Sequence, residues 1–186
     1  YLNEIQEIGS DEGFESLTLI ADKFFSWKTS ENTNHYLLGK STSDVEKNQM
    51  ESIRSFFNSK QDKEIEYDGD DRFFGSLDLI PHLSKRIFFI GVTVDQEIPC
   101  YEYVTHIFKT PIVKLELVDP RFKHLSECFL QIDEKNAMYF SKAFSDDSIA
   151  YLNRIYDRII DLPEDEVLNF SLMADLYSGK HGKIAL

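Results

Sequence analysis

The stretch from Arg86 to Asp95 constrains the fold more than any other part of this chain. Ile87, Phe88, Phe89, Ile90, Val92 and Val94 fill six of its ten positions. Its first half is apolar on both faces, which is the mark of a strand covered on both sides. A chain with such a strand must wrap other elements around it.

The flanking segments supply them. Ile112 to Val118 alternates with Ile, Lys, Leu, Leu and Val around Glu116 and reads as a strand closed by Asp119-Pro120. Cys128–Ile132 and Ala137–Phe144 read as a hairpin turning through Asp133-Glu134-Lys135-Asn136. Glu64 to Asp68 alternates as an exposed or edge strand, and Asp68-Gly69 has hairpin-turn chemistry. His35–Leu38 reads as a short strand. Cys100–Phe108 fits helix or strand, and Phe73–Leu83 is ambiguous because Pro81 interrupts either.

Helical spacing appears toward the ends. Phe14, Leu17, Ile20 and Phe24 share a face over residues 11–27, behind a Ser10 cap. Ser43 and Glu46 form a capping box for a helix to about Asn58, with Val45, Gln49, Ile53, Phe56 and Phe57 inward. Ser145 caps a helix carrying Ile149, Leu152, Ile155, Tyr156 and Ile159. Pro163 starts another, with Val167, Phe170, Leu172 and Leu176, ending near Gly179. Helices, then strands, then helices predict an α+β fold. It would be a mainly antiparallel sheet flanked by N-terminal and C-terminal helices. No internal repeat shows in the sequence. The 186 residues read as one domain over 1–186, standing alone or as a piece of a longer protein.

Composition bounds the function. The chain is 42% hydrophobic, which is enough to build a core at this length. It has no apolar run near the ~18 residues of a membrane span, and no signal-peptide pattern at its start. Two cysteines, Cys100 and Cys128, are no disulfide framework, so a reducing, cytoplasmic setting is expected. The net charge is −13, with acids spread along the whole chain. Direct nucleic-acid binding is therefore not expected, since tracking phosphates needs clustered Lys and Arg. An acidic field of this size favours a basic partner.

The chemistry-bearing motifs are few. Phosphate-binding glycine loops, H-E-x-x-H and G-x-S-x-G are missing from the sequence. The acids at 64–71 do not fit a calcium loop, because Phe73 and Leu79 stand where Gly and Glu are needed. Lys114-Leu115-Glu116 and Asp133-Glu134-Lys135 miss the acid-spacer-lysine pattern of metal-dependent nucleases. Cys100–His106 and Cys128–His124 can be imagined as nucleophile pairs. The basic Gly179–Lys183 stretch reads as a tail.

Tyr101, Tyr103, Tyr151 and Tyr156 beside acids suggest a protein-binding surface. The expected function is a non-enzymatic acidic binding domain. It would be an inhibitor or immunity-type protein, or a complex subunit, that caps a basic protein. Its expected contact residues are Glu64, Glu66, Asp68, Asp70 and Asp71, with Asp161, Glu164, Asp165 and Glu166 as a second patch. No cofactor or metal is expected in that reading. The alternative is a metal-assisted hydrolase or nuclease whose site assembles from dispersed acids.

Overall fold

The computed structural model describes residues 24–28, 33–39, 44–67, 75–93 and 99–167. Three small sheets follow one another along the chain, and each has the same plan. In the first, β1 (Phe24–Lys28) and β2 (Asn34–Leu38) form an antiparallel pair. The chain then crosses through α1 (Asp44–Ser59) to β3 (Lys63–Ile65), which lies parallel to β2. The second sheet repeats this with β4 (Leu79–Pro81), β5 (Phe88–Thr93), α2 (Pro99–Phe108) and β6 (Ile112–Leu117). The third uses β7 (Phe129–Gln131), β8 (Asn136–Tyr139), α3 (Asp146–Ile155) and β9 (Arg158–Asp161). Every module is thus ββαβ, with its second strand in the centre.

This corrects the expected antiparallel sheet with terminal helices. Each sheet is mixed, and each helix lies between two strands of its own module, where a parallel crossover requires one. The repeat that the residues do not show is present in the backbone. The Gly91 N–H donates to the Asp78 carbonyl (3.1 Å), and the Phe140 N–H donates to the Cys128 carbonyl (3.0 Å). Asp78 and Cys128 therefore hold equivalent places, one residue before the first strand of the second and third modules.

The modules pack in series. α1 lies on one face of its sheet, where Ile53 and Phe57 meet Tyr36, whose ring stacks 4.4 Å from that of Phe57. The opposite face, with Phe25, Leu37 and Ile65, joins Tyr101, Val104 and Phe108 of α2. The second sheet behaves alike. Leu79, Phe88 and Ile90 rest on α2, while Phe89 and Leu115 join Leu152 of α3 and Tyr156 just beyond it. The first and second sheets thus each have a back face on their own helix and a forward face on the next module. Tyr101 and Tyr156 are buried in this packing, so they form no binding surface.

The second and third modules meet tightly at Gly91. A Cβ there would lie 2.8 Å from Leu125 Cβ and 3.1 Å from Leu125 N. Gly91→Ala should cost about 1–3 kcal/mol of stability by overpacking, read as a lower urea midpoint. An unchanged midpoint would mean that the junction yields without cost.

Residues 11–23 of the expected first helix lie outside the described residues, and Phe24–Lys28 is strand, not helix. The expected helix beyond Val167 also lies outside them, as do Ser43, the Asp68-Gly69 turn and the 179–183 tail. Among the described residues, no helix is long and apolar enough to cross a membrane.

Candidate active site

The forward end of the second sheet carries a buried carboxylate. A single turn of 3-10 helix (Gly75–Leu77) delivers Asp78 to the start of β4, where its side chain is 0% exposed. A buried carboxylate needs partners, or its desolvation is costly. The third module supplies them. Asp78 Oδ1 accepts from the Leu125 N–H at 3.1 Å, and Oδ2 lies 3.0 Å from His124 Nδ1. The His124 ring is 19% exposed, so the pair joins the interior to the surface.

Local chemistry holds His124 in place. It precedes the 3-10 turn Leu125–Glu127 with extended backbone. Glu127 folds back so that Oε2 accepts from the Lys123 N–H (2.7 Å) and the His124 N–H (3.1 Å). This is the capping-box economy, in which a carboxylate three residues on satisfies an orphan backbone donor. Leu125, fully buried against Gly91, seats the turn on the second module.

A carboxylate on Nδ1 selects the tautomer with hydrogen there and the lone pair on Nε2. It also stabilises the imidazolium formed when Nε2 takes up a proton. The arrangement can therefore move protons in either direction.

The imagined Cys128–His124 nucleophile pair does not form. Cys128 Sγ is directed at the carbonyls of Leu125 (3.6 Å) and His124 (3.9 Å), and burial pushes its thiol far up from the ordinary range. Such a thiol is a structural group. His106 is exposed on α2, and the Cys100 side chain is outside the described residues.

The acids read from the sequence are not gathered into one site. Glu64 takes a two-pronged contact from Arg54 (2.7 and 2.9 Å) and accepts from Tyr36 Oη, whose pKa is pushed up to about 12 by burial and then by the Glu64 charge. Glu66 is exposed, and Asp68, Asp70 and Asp71 lie outside the described residues. Asp161 accepts from the Ser141 N–H. Glu164 binds Arg121 (2.7 Å) and Lys142 (3.0 Å), which hold its carboxyl below the usual range. Asp165 and Glu166 are exposed. Among the described residues, no three His, Cys, Asp or Glu side chains are grouped to hold a metal.

No protein-family model matches the chain. Two curated proteins do. One is the bifunctional arginine dihydrolase/ornithine cyclodeaminase ArgZ of Synechocystis sp., 29% identical over 96 residues, or 52% of this chain and 13% of ArgZ. The other is the N(G),N(G)-dimethylarginine dimethylaminohydrolase of Mycobacterium tuberculosis, 30% identical over 84 residues, or 45% of this chain and 27% of that enzyme. Among solved structures, the N-terminal domain of ArgZ bound to substrate superposes with a TM-score of 0.69 at 20% identity, covering 82% of this chain and 55% of the domain. Unliganded AgrE gives 0.73 at 19% identity, covering 88% of this chain and 24% of AgrE. The chain shares its fold with the arginine dihydrolase domain. It spans about half of that domain and a smaller part of the curated relatives.

These findings correct the expected non-enzymatic inhibitor or immunity protein. The matched relatives are enzymes of arginine chemistry, and they favour the hydrolase side of the alternative. The sequence held one signal for the pair that was missed. Asp78 is a lone acid inside the apolar run Leu77-Asp78-Leu79-Ile80. A carboxylate so placed must be buried with a partner or turn outward.

His82, at the other end of β4, is a separate buried histidine. Its Nδ1 accepts from the Ser84 and Lys85 N–H groups (3.1 and 3.0 Å), and its ring stacks 5.3 Å from Tyr156. Burial, with Lys85 nearby, lowers its pKa from 6.5. Above that value the ring is neutral folded and unfolded, so its contribution is complete. Below it the unfolded chain binds a proton that the folded one resists, and stability falls. The slope from this group should reach up to about 1.4 kcal/mol per pH unit. His82→Asn, which keeps an acceptor for the turn, should flatten the melting-temperature profile between about pH 6.5 and 5. Equal slopes in both proteins would remove His82 as the cause.

Proposed function

We propose that the chain carries the acid–base centre of a hydrolase acting on a guanidinium compound of the arginine type. The buried Asp78–His124 pair is the observation that carries this reading. Its chemistry is what hydrolysis at a guanidinium carbon requires. An oxygen nucleophile bonds to the carbon and gives up a proton, the carbon–nitrogen bond breaks, and the departing nitrogen takes a proton. His124 Nε2 accepts the first proton and returns one to the leaving amine, while Asp78 holds the ring and balances its charge. Cys128, buried and raised in pKa, is given no part in the attack.

The names of the curated relatives support the substrate class, since one is an arginine dihydrolase and the other acts on dimethylarginine. The net charge of −13 agrees with it too. An acidic field draws in a small cation as well as it draws a basic protein. The test is release of ammonia from L-arginine, and of dimethylamine from dimethylarginine, by the chain and by its His124→Ala variant. Release by the chain that the variant lacks supports the reading. Equal rates in both would sink it.

A further inference from the structure

Gly91 stands on a sheet face where its neighbours carry large side chains. On β5 it lies between Ile90 and Val92, which pack toward α2, and it shares the forward face with Phe89. The ββαβ plan does not ask for a glycine there. Its N–H donates to the Asp78 carbonyl, as the Phe140 N–H donates to the Cys128 carbonyl in the third module. Phe140 thus fills the same place with a full aromatic ring, 2% exposed. Backbone conformation does not ask for a glycine either. Among the described residues, the glycine with a positive φ is Gly75. Alanine would suit the strand at position 91, and what opposes it is the neighbour across the junction.

That neighbour is the turn that carries His124. A Cβ at position 91 would meet Leu125 Cβ at 2.8 Å, Leu125 N at 3.1 Å and Leu125 Cα at 3.2 Å. All three atoms are fixed by the main chain, so no rotation of the Leu125 side chain relieves the contact. Non-bonded carbons settle about 3.5–4.0 Å apart, so the turn would have to withdraw by roughly 0.5–1 Å.

The displaced atoms are those that hold the pair together. The Leu125 N–H donates to Asp78 Oδ1 at 3.1 Å, already near the long end of a hydrogen bond. His124 Nδ1, one residue earlier, lies 3.0 Å from Oδ2. Asp78 is kept from following the turn, because the Gly91 N–H holds its carbonyl on the sheet.

We propose that Gly91 is a positioning residue for the acid–base pair. Its missing side chain lets the Leu125 turn approach β5, and that approach sets the distance from His124 to Asp78. The inference rests on the reading of His124 as the acid–base group. It goes beyond that reading by placing control of the geometry on a strand that carries neither member of the pair.

The test compares Gly91→Ala with the parent on the full chain, by amide and histidine NMR first and by turnover of L-arginine second. Ile53→Val, in the core between α1 and the first sheet, is the control for lost stability alone. In Gly91→Ala, exchange protection of the Leu125 amide should fall about 10–100-fold relative to the Phe140 amide, the worth of a hydrogen bond to a charged group. Neutral His124 should divide between its two tautomers instead of holding its hydrogen on Nδ1. The rate constant kcat should fall about 10²-fold, with KM within about twofold of the parent's. Ile53→Val should change none of these. Leu125 and His124 signals that match the parent's would overturn the proposal, as would a kcat equal to that of an active parent. The same changes in Ile53→Val would also overturn it, by making them a consequence of stability. The NMR readings hold whether or not the parent turns over arginine, so they separate this inference from the hydrolase reading. If Gly91→Ala does not fold, exchange in the parent decides. There the Leu125 amide should exchange as slowly as the Gly91 amide, because one contact locks both. Exchange of Leu125 about 100-fold faster than Gly91 would show that the turn moves without the junction and would end the proposal.

Discussion

His124→Ala should lower hydrolysis of an arginine-type substrate by about 10²–10⁴-fold, the usual worth of a positioned acid–base group. The loss should fall on the rate constant kcat rather than on KM, because proton transfer belongs to the transition state. The fold should survive. The His124 ring is partly exposed, and the turn that carries it is held by Glu127 and by Leu125 against Gly91, not by the ring. A variant that melts like the parent but does not turn over is therefore the expected pattern. Asp78→Asn separates positioning from chemistry. It keeps an acceptor for the Leu125 N–H while removing the charge that stabilises the imidazolium. Its rate should fall steeply, and its pH–rate profile should shift.

Phe89→Ala should produce the largest loss of stability, about 3–5 kcal/mol. Phe89 is 0% exposed at the centre of the junction between the second and third modules. Its ring lies 5.6 Å from Phe129, 6.0 Å from Tyr156 and 6.0 Å from His82. Removing it leaves a cavity bordered by residues of both modules, where neither sheet can collapse without leaving its own helix. Against a typical total of about 5–15 kcal/mol, this is a large fraction. Urea unfolding measures it, and a cost below about 1 kcal/mol would show that the junction repacks freely. The substitution should also depress activity, because the same junction brings the His124 turn onto Asp78.

Much of the fold was legible where pattern and burial agree. β5 is apolar on both faces because it is the central strand of a sheet covered by α2 behind and the third module in front. α1 declared itself through the spacing of Ile53 and Phe57. β9 was hidden, since Ile159 continues the helical stripe of Ile149, Leu152 and Ile155, although α3 ends at Ile155. The segment Cys100–Phe108 stayed ambiguous because Tyr101, Tyr103 and Ile107 suit alternation as well as Tyr101, Val104 and Phe108 suit a helix. The parallel pairs were invisible, because strands of three to six residues carry no mark of their neighbour's direction.

The site was legible only in part. Glu64 and Glu164 stood out as acids, but each is neutralised by arginine in the fold. Asp78 and His124 are 46 residues apart and belong to different modules. The packing of the second module on the third, with Leu125 against Gly91 and Phe89 among Phe129 and Tyr156, brings them together. Spacing along the chain cannot report a meeting set by the serial stacking of modules.

The most direct test of the acid–base assignment is nitrogen NMR of histidine-labelled protein titrated with L-arginine. Neutral His124 should carry its hydrogen on Nδ1, facing Asp78. The Nε2 signal of His124 should move saturably as arginine is added, while that of His82 should not. A His124 ring protonated on Nε2, or one indifferent to arginine, would contradict the assignment.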